Sequence, residues 1–158
     1  MTQVIGRQAR CAIARGVDLL GDKWALLIAR EACWGRTRFS EFRRNLGIAP
    51  DVLANRLAAL VHEGVLERRA YRDTGARARE EYVLTPAGHD LLFVLAGLAH
   101  WGREHRPLPE SSSPVYTDAD TGEQVELCFV TKDGRRVALD RVDAGTGPVS
   151  PRPSRPCG

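Results

Sequence analysis

Arg38-Phe39-Ser40-Glu41-Phe42-Arg43-Arg44-Asn45-Leu46-Gly47-Ile48-Ala49-Pro50-Asp51-Val52-Leu53-Ala54-Asn55-Arg56-Leu57-Ala58-Ala59-Leu60-Val61 decides the architecture of this chain. Phe39, Phe42 and Leu46 form the apolar face of a short helix. Gly47 suits the left-handed position just past a helix end. Pro50 suits the first position of the next helix, where its missing N–H would be unpaired in any case. In that second helix Leu53, Leu57, Leu60 and Val61 fall at i, i+4, i+7 and i+8, a single core-facing stripe. Asp51, Ala54, Asn55 and Arg56 are left on its other faces. Two short helices about a glycine turn, followed by a basic hairpin, predict a winged helix-turn-helix. Such a fold lays its second helix in a DNA major groove and its hairpin loop beside the backbone.

The hairpin is read from Val65 to Tyr71 and from Glu81 to Leu84, two alternating runs joined by a loop over 72–80. Thr85-Pro86 starts a long helix over 86–105, carrying Leu91, Leu92, Leu95, Leu98 and Trp101. Upstream, Ile13, Val17 and Leu20 share one side of a helix over 10–20. Gly21-Asp22 interrupts it, and Asp22 caps a second helix with Trp24, Leu27, Ile28 and Ala32 as its apolar face. The fold class expected is therefore α+β, mostly helical with a β-hairpin wing, over 1–106. Pro107 marks a boundary, since seven of the nine prolines lie at or beyond it. The appendage at 107–158 is expected to hold short strands at 115–117, 124–130 and 136–139, and to lack order after Ala144.

Charge divides the same way. Residues 1–106 carry 17 Lys+Arg against 12 Asp+Glu, and residues 107–158 carry 6 against 8. Ten arginines and five acids lie between Arg36 and Arg79, the pattern expected opposite a polyanion. Arg38, Arg43 and Arg44 on the first helix are expected at phosphates, and Ser40 and Pro50 are counted with them among the DNA-binding residues. Asp51, Ala54, Asn55 and Arg56 face the groove. Arg bidentate to guanine or Asn to adenine discriminates by about 1–3 kcal/mol. Arg56 has an alternative, at a phosphate or paired with Glu41 or Glu63. Arg77 and Arg79 on the wing would enter a minor groove or track the backbone, unless Glu80 and Glu81 hold them.

The remaining composition narrows the class. With 158 residues, 43% hydrophobic and 27% charged, the chain is one domain with a short appendage and a charged, water-compatible surface. The apolar runs are too short to span a bilayer and no secretion signal is visible, so a cytoplasmic location is expected. Cys11, Cys33, Cys128 and Cys157 show no metal-ligand spacing, and no phosphate loop or nucleophile elbow appears. No metal, no cofactor and no enzymatic activity are expected. Trp24, Trp34, Trp101 and Phe93 read as core side chains, or as the lining of a cavity between subunits.

Cys11-Ala12-Ile13-Ala14-Arg15, Leu20-Gly21-Asp22-Lys23-Trp24-Ala25-Leu26-Leu27-Ile28, Arg38-Phe39-Ser40-Glu41-Phe42, Val52-Leu53-Ala54-Asn55-Arg56-Leu57 and Tyr82-Val83-Leu84-Thr85-Pro86-Ala87-Gly88, in that order, resemble the HxlR family of bacterial transcriptional regulators. The resemblance runs from about Cys11 to Trp101. It implies a homodimer on paired half-sites of double-stranded operator DNA, joined through the first and last helices of the domain. Ile13, Val17, Leu91, Leu95, Leu98 and Trp101 would form that interface. It also implies a repressor that answers to a small molecule or an oxidant. Cys11 is the sensing candidate, because cationic Arg10 and Arg15 and a helix N-terminus are surroundings in which a thiol becomes reactive.

Three residues depart from the family pattern. Ala49 stands where a Ser usually caps the recognition helix, a loss of roughly 1 kcal/mol. Asp51 precedes a position that is often Lys; its carboxylate could accept from a cytosine amino group or be held by an arginine. Some relatives carry a Cys-containing ribbon after the domain, whereas 115–139 retains only Cys128. The alternative function is a winged-helix module that binds another protein and reads no DNA.

Overall fold

The computed structural model describes residues 10–71, 79–109 and 114–145. Two compact units divide between Pro114 and Val115. The first holds α1 (Ala12–Leu20), α2 (Lys23–Cys33), α3 (Phe39–Leu46), α4 (Pro50–His62), β1 (Leu66–Tyr71), β2 (Arg79–Leu84), α5 (Pro86–Asp90) and α6 (Leu92–His105). The two strands pair antiparallel from Leu66 opposite Leu84 to Tyr71 opposite Arg79.

The core lies where the apolar periodicity puts it. Ile28, Phe42, Leu53, Leu57, Leu60 and Leu66 are the largest fully buried side chains, and Phe39, Leu46, Val61 and Trp24 pack around them. The turn between α3 and α4 adds Ile48, and the wing adds Tyr82. Gly47 adopts φ 60°, the left-handed conformation that lets Leu46 and Ile48 both face inward. Tyr82 N–H donates to Thr37 O at 2.7 Å, tying the wing to the segment just before α3. Glu31 is buried on α2, where Arg30 pairs with it at 2.7 Å and Asn45 Nδ2 donates to it at 2.8 Å. A buried carboxylate survives because both of its oxygens are engaged.

Two boundaries differ from the sequence reading. The helix expected over 86–105 is interrupted at Leu91, which ends α5. Its first turn is pinned to the wing: Thr85 Oγ1 donates to Gly64 O at 2.5 Å and accepts from Gly88 N–H. Gly88 itself presses so close to β1 that a Cβ there would overlap the Val65 carbonyl oxygen. Leu91 then turns inward against the core. The second wing strand is also longer than expected, because Arg79 and Glu80 pair with Tyr71 and Ala70 and lie in β2, not in the loop, while the first begins at Leu66 rather than Val65.

The second unit consists of two small hairpins, β3 (Tyr116–Thr117) with β4 (Gln124–Val125), and β5 (Phe129–Val130) with β6 (Arg136–Val137). The strand expected over 124–130 is thus split between two ladders. Asp118 accepts the Asp120 amide in the first turn, folding 124–125 back on 116–117. Thr131 and Arg135 close the second turn, folding 136–137 back on 129–130. Leu139 opens a short 3-10 turn to Arg141 and does not extend a strand. None of the unit's described residues is buried, and Val125, Leu127, Phe129, Val130 and Leu139 are exposed. The loss of order expected after Ala144 concerns residues almost all of which lie outside the described ones. No described helix is long and apolar enough to cross a membrane.

Candidate nucleic-acid interface

One face of α4 is sunk in the core through Leu53, Leu57 and Leu60, each 0–1% exposed. Its opposite face is bare: Asp51, Ala54, Asn55, Ala58 and His62 are exposed. The small alanines keep that face slim enough to enter a groove about 12 Å wide. Ala58 and His62 were not singled out from sequence, though each continues the helical period from Asp51 and Asn55. Ala49 caps α4 with no side-chain hydrogen bond, and Pro50 occupies the first turn.

Arg56 is placed differently from its sequence reading. Its Nη2 lies 2.6 Å from Asp22 Oδ2, and its Nε is buried with no hydrogen-bond partner. It lines a cleft between α1 and α4 together with Arg15, Asp18, Ala59 and Glu63, on the flank of the helix and away from the exposed stripe. The partner is neither Glu41 nor Glu63 but an acid on the α1–α2 elbow.

On α3, Ser40, Arg43 and Arg44 are exposed and, with Phe39, line one shallow concavity. Ser40 is three and four residues from the two arginines, so the three side chains share a face. Glu41 anchors the start of this helix. Its Oε2 accepts the Arg38 amide at 3.0 Å and the Thr37 amide at 3.1 Å. These two bonds, then the nearby Arg36 and Arg38 guanidiniums, hold the Glu41 carboxyl below the usual carboxylate range. Arg38 stacks its guanidinium over Tyr71 at 4.7 Å, joining the start of α3 to the root of the wing. Arg79 is exposed at the head of β2. Arg77 lies outside the described residues.

Cys11 is the exposed residue that precedes α1, and its carbonyl accepts the Arg15 amide at 3.2 Å. The Arg15 guanidinium turns back to the Arg10 carbonyl at 3.1 Å. Cys33 is half-buried on α2, where burial pushes its thiol up and keeps it protonated. Among the described residues no group of metal-ligating side chains occurs.

The residues assigned to a subunit interface divide. Ile13 is 77% exposed, Val17, Leu98 and Trp101 about half exposed, and Leu91 and Leu95 only partly so. Phe93 and Val94 join the outward set. Trp34, Trp101 and Phe93 are therefore surface side chains and not core; only Trp24 packs on the core.

Residues 19–110 match the HxlR-like helix-turn-helix family. The uncharacterised HTH-type transcriptional regulator Rv3095 of Mycobacterium tuberculosis is 36% identical over 138 residues, 87% of this chain and 86% of that one. The crystal structure of PA1607, a candidate transcription factor, superposes with a TM-score of 0.73 at 34% identity, covering 88% of this chain and 96% of the other. The redox regulator HypR in its reduced form gives 0.55 at 28% identity, covering 61% of this chain and 94% of its own. The family and these relatives are transcriptional regulators and not enzymes. With its helix-turn-helix and wing in place and most of its length matched, the chain belongs to the HxlR-like helix-turn-helix family of transcriptional regulators.

Proposed function

We propose that the chain is a homodimeric repressor that reads paired half-sites of double-stranded DNA with α4. The observation that carries this reading is the exposed, slim, polar face of α4 opposite its buried leucine stripe. Asn55 is the base reader, supported by Asp51 and the thymine-methyl-sized Ala54 and Ala58. Ser40, Arg43 and Arg44 hold phosphates and set register, with Arg38 at the wing root and Arg79 and Arg77 on the wing adding backbone contacts. Dimerisation covers Ile13, Val17, Leu98 and Trp101, with Leu91 and Leu95 forming the floor of that face. Cys11 lies on the same helix as Ile13 and Val17, so its oxidation would change how two copies meet and how far apart their readers sit. A redox role for that thiol is in keeping with the likeness to HypR.

The test is a titration of labelled DNA from upstream of the protein's own gene, with excess competitor, at several salt concentrations. Competitor-resistant binding should weaken steeply with salt. Asn55→Ala should cost about 1–3 kcal/mol and relax the sequence preference. Arg43→Ala and Arg44→Ala should each make the log–log salt slope shallower by about 0.9. Absence of specific binding at low salt on this and neighbouring promoters would sink the reading in favour of a protein-binding module.

A further inference from the structure

The Gly21-Asp22-Lys23-Trp24 motif has a structural job that links it to α4. Asp22 Oδ1 accepts the Trp24 amide at 2.6 Å, closing the start of α2. Its other oxygen, Oδ2, takes Arg56 Nη2 at 2.6 Å. One carboxylate thus serves two elements at once, through charge-assisted bonds that are short and directional. The elbow holding it is tightly packed. Gly21 N–H donates to Val17 O at 2.7 Å, and a Cβ at position 21 would lie 2.6 Å from that same oxygen. Lys23 sits over the Trp24 ring at 4.9 Å, and Trp24 packs on the core. On the other side, Arg56 follows Asn55 directly; its Nε is shut away from water without a partner while its Nη2 reaches Asp22, and the side chain as a whole stays 43% exposed.

We infer that Arg56 is a positioning residue: held by Asp22, it fixes the rotation of α4 against the α1–α2 elbow, and so sets how Asn55 meets the groove. This rests on the DNA-reading function proposed above.

The experiment compares wild type, Asp22→Asn, Arg56→Gln and the double variant by operator titration at several salt concentrations, and by urea unfolding. Asn keeps the helix cap while removing the charge. Each single variant should lose about three- to tenfold in operator affinity, and the double should be no worse than the weaker single. The salt slope should stay at its wild-type value in all four. A slope shallower by about 0.9 in Arg56→Gln would show a phosphate contact and overturn the inference. So would wild-type affinity in Asp22→Asn combined with relaxed sequence preference in Arg56→Gln, the signature of base reading. If wild type itself binds no operator, DNA reading fails, and unfolding alone judges the pair. The groove-setting role is then overturned with it; equal midpoint shifts in both singles and the double would leave only a lock between α4 and the elbow, and additive shifts would remove that too. Should Arg56→Gln not fold, Arg56→Lys, which keeps the charge but not the fork, serves in the same cycle.

Discussion

Helices α2 and α6 are both rich in apolar side chains, yet one builds the core and the other leaves its own in water. Helix α2 buries Ala25, Ile28, Ala29 and Ala32, whereas α6 buries nothing despite Leu92, Phe93, Val94, Leu95, Leu98 and Trp101. The difference is one of position. Helix α2 is walled by α1, α3, α4, β2 and α6, while α6 meets mainly α2 and α5. An apolar face does not choose its cover; the order of the elements does. A stripe such as Val94, Leu98 and Trp101 is the face that the proposed second copy would cover.

The sharpest way to break this comparison is to hollow α2. Ile28→Ala removes a fully buried side chain and should cost about 2–5 kcal/mol of unfolding free energy, read from urea titrations. Leu98→Asp on α6 should do the reverse. The unfolding midpoint of dilute protein should hold, while the dissociation constant of the proposed dimer rises about thirtyfold or more, corresponding to roughly 2 kcal/mol. A monomer that unfolds would show that α6 is core after all, and a dimer that persists in sedimentation would show that two copies meet elsewhere. Ala49→Ser supplies the missing cap of α4, one wall around α2, without touching α6. It should add about 1 kcal/mol, some 4–8 °C in Tm, and leave dissociation unchanged. The smallest effect is acid loosening of α3, another wall. Because the folded Glu41 carboxyl is held below its ordinary value near 4.5, its contribution is complete above that value and is lost as pH falls through the lowered one. Hydrogen exchange in α3 should accelerate below about pH 4.5. Glu41→Gln should already show the faster exchange at neutral pH and change little with acid.

Much of this architecture was legible in the chain. Gly47, Pro50 and the Leu53–Leu57–Leu60 spacing are local signals, and local signals specify helices and turns without knowledge of the rest. What sequence could not supply were partners from distant segments. Arg56 offered several acids, and only the packing of α4 beside the elbow selects Asp22. Leu91 and Leu98 are indistinguishable in type and period, yet the pinning of α5 at Gly88 turns one inward and leaves the other out. The run at 124–130 read as one strand because its residues favour extension. Its division followed from two turns competing for its two ends. Asn55 and the α3 arginines were legible as a candidate face because exposure on a helix is itself periodic; the two extra positions, Ala58 and His62, follow from the same period.

The three tryptophans occupy three different settings. Trp24 is half-buried beneath Lys23, Trp34 is exposed under the Arg30 guanidinium, and Trp101 is exposed on α6 beside His105 and Arg106. Indole emission moves to shorter wavelength when water leaves the ring. A chain carrying Trp24→Phe and Trp34→Phe would therefore emit from Trp101 alone. Its colour, followed against protein concentration, would report any covering of α6 with no dye attached and the arginines of α3 and the polar face of α4 untouched.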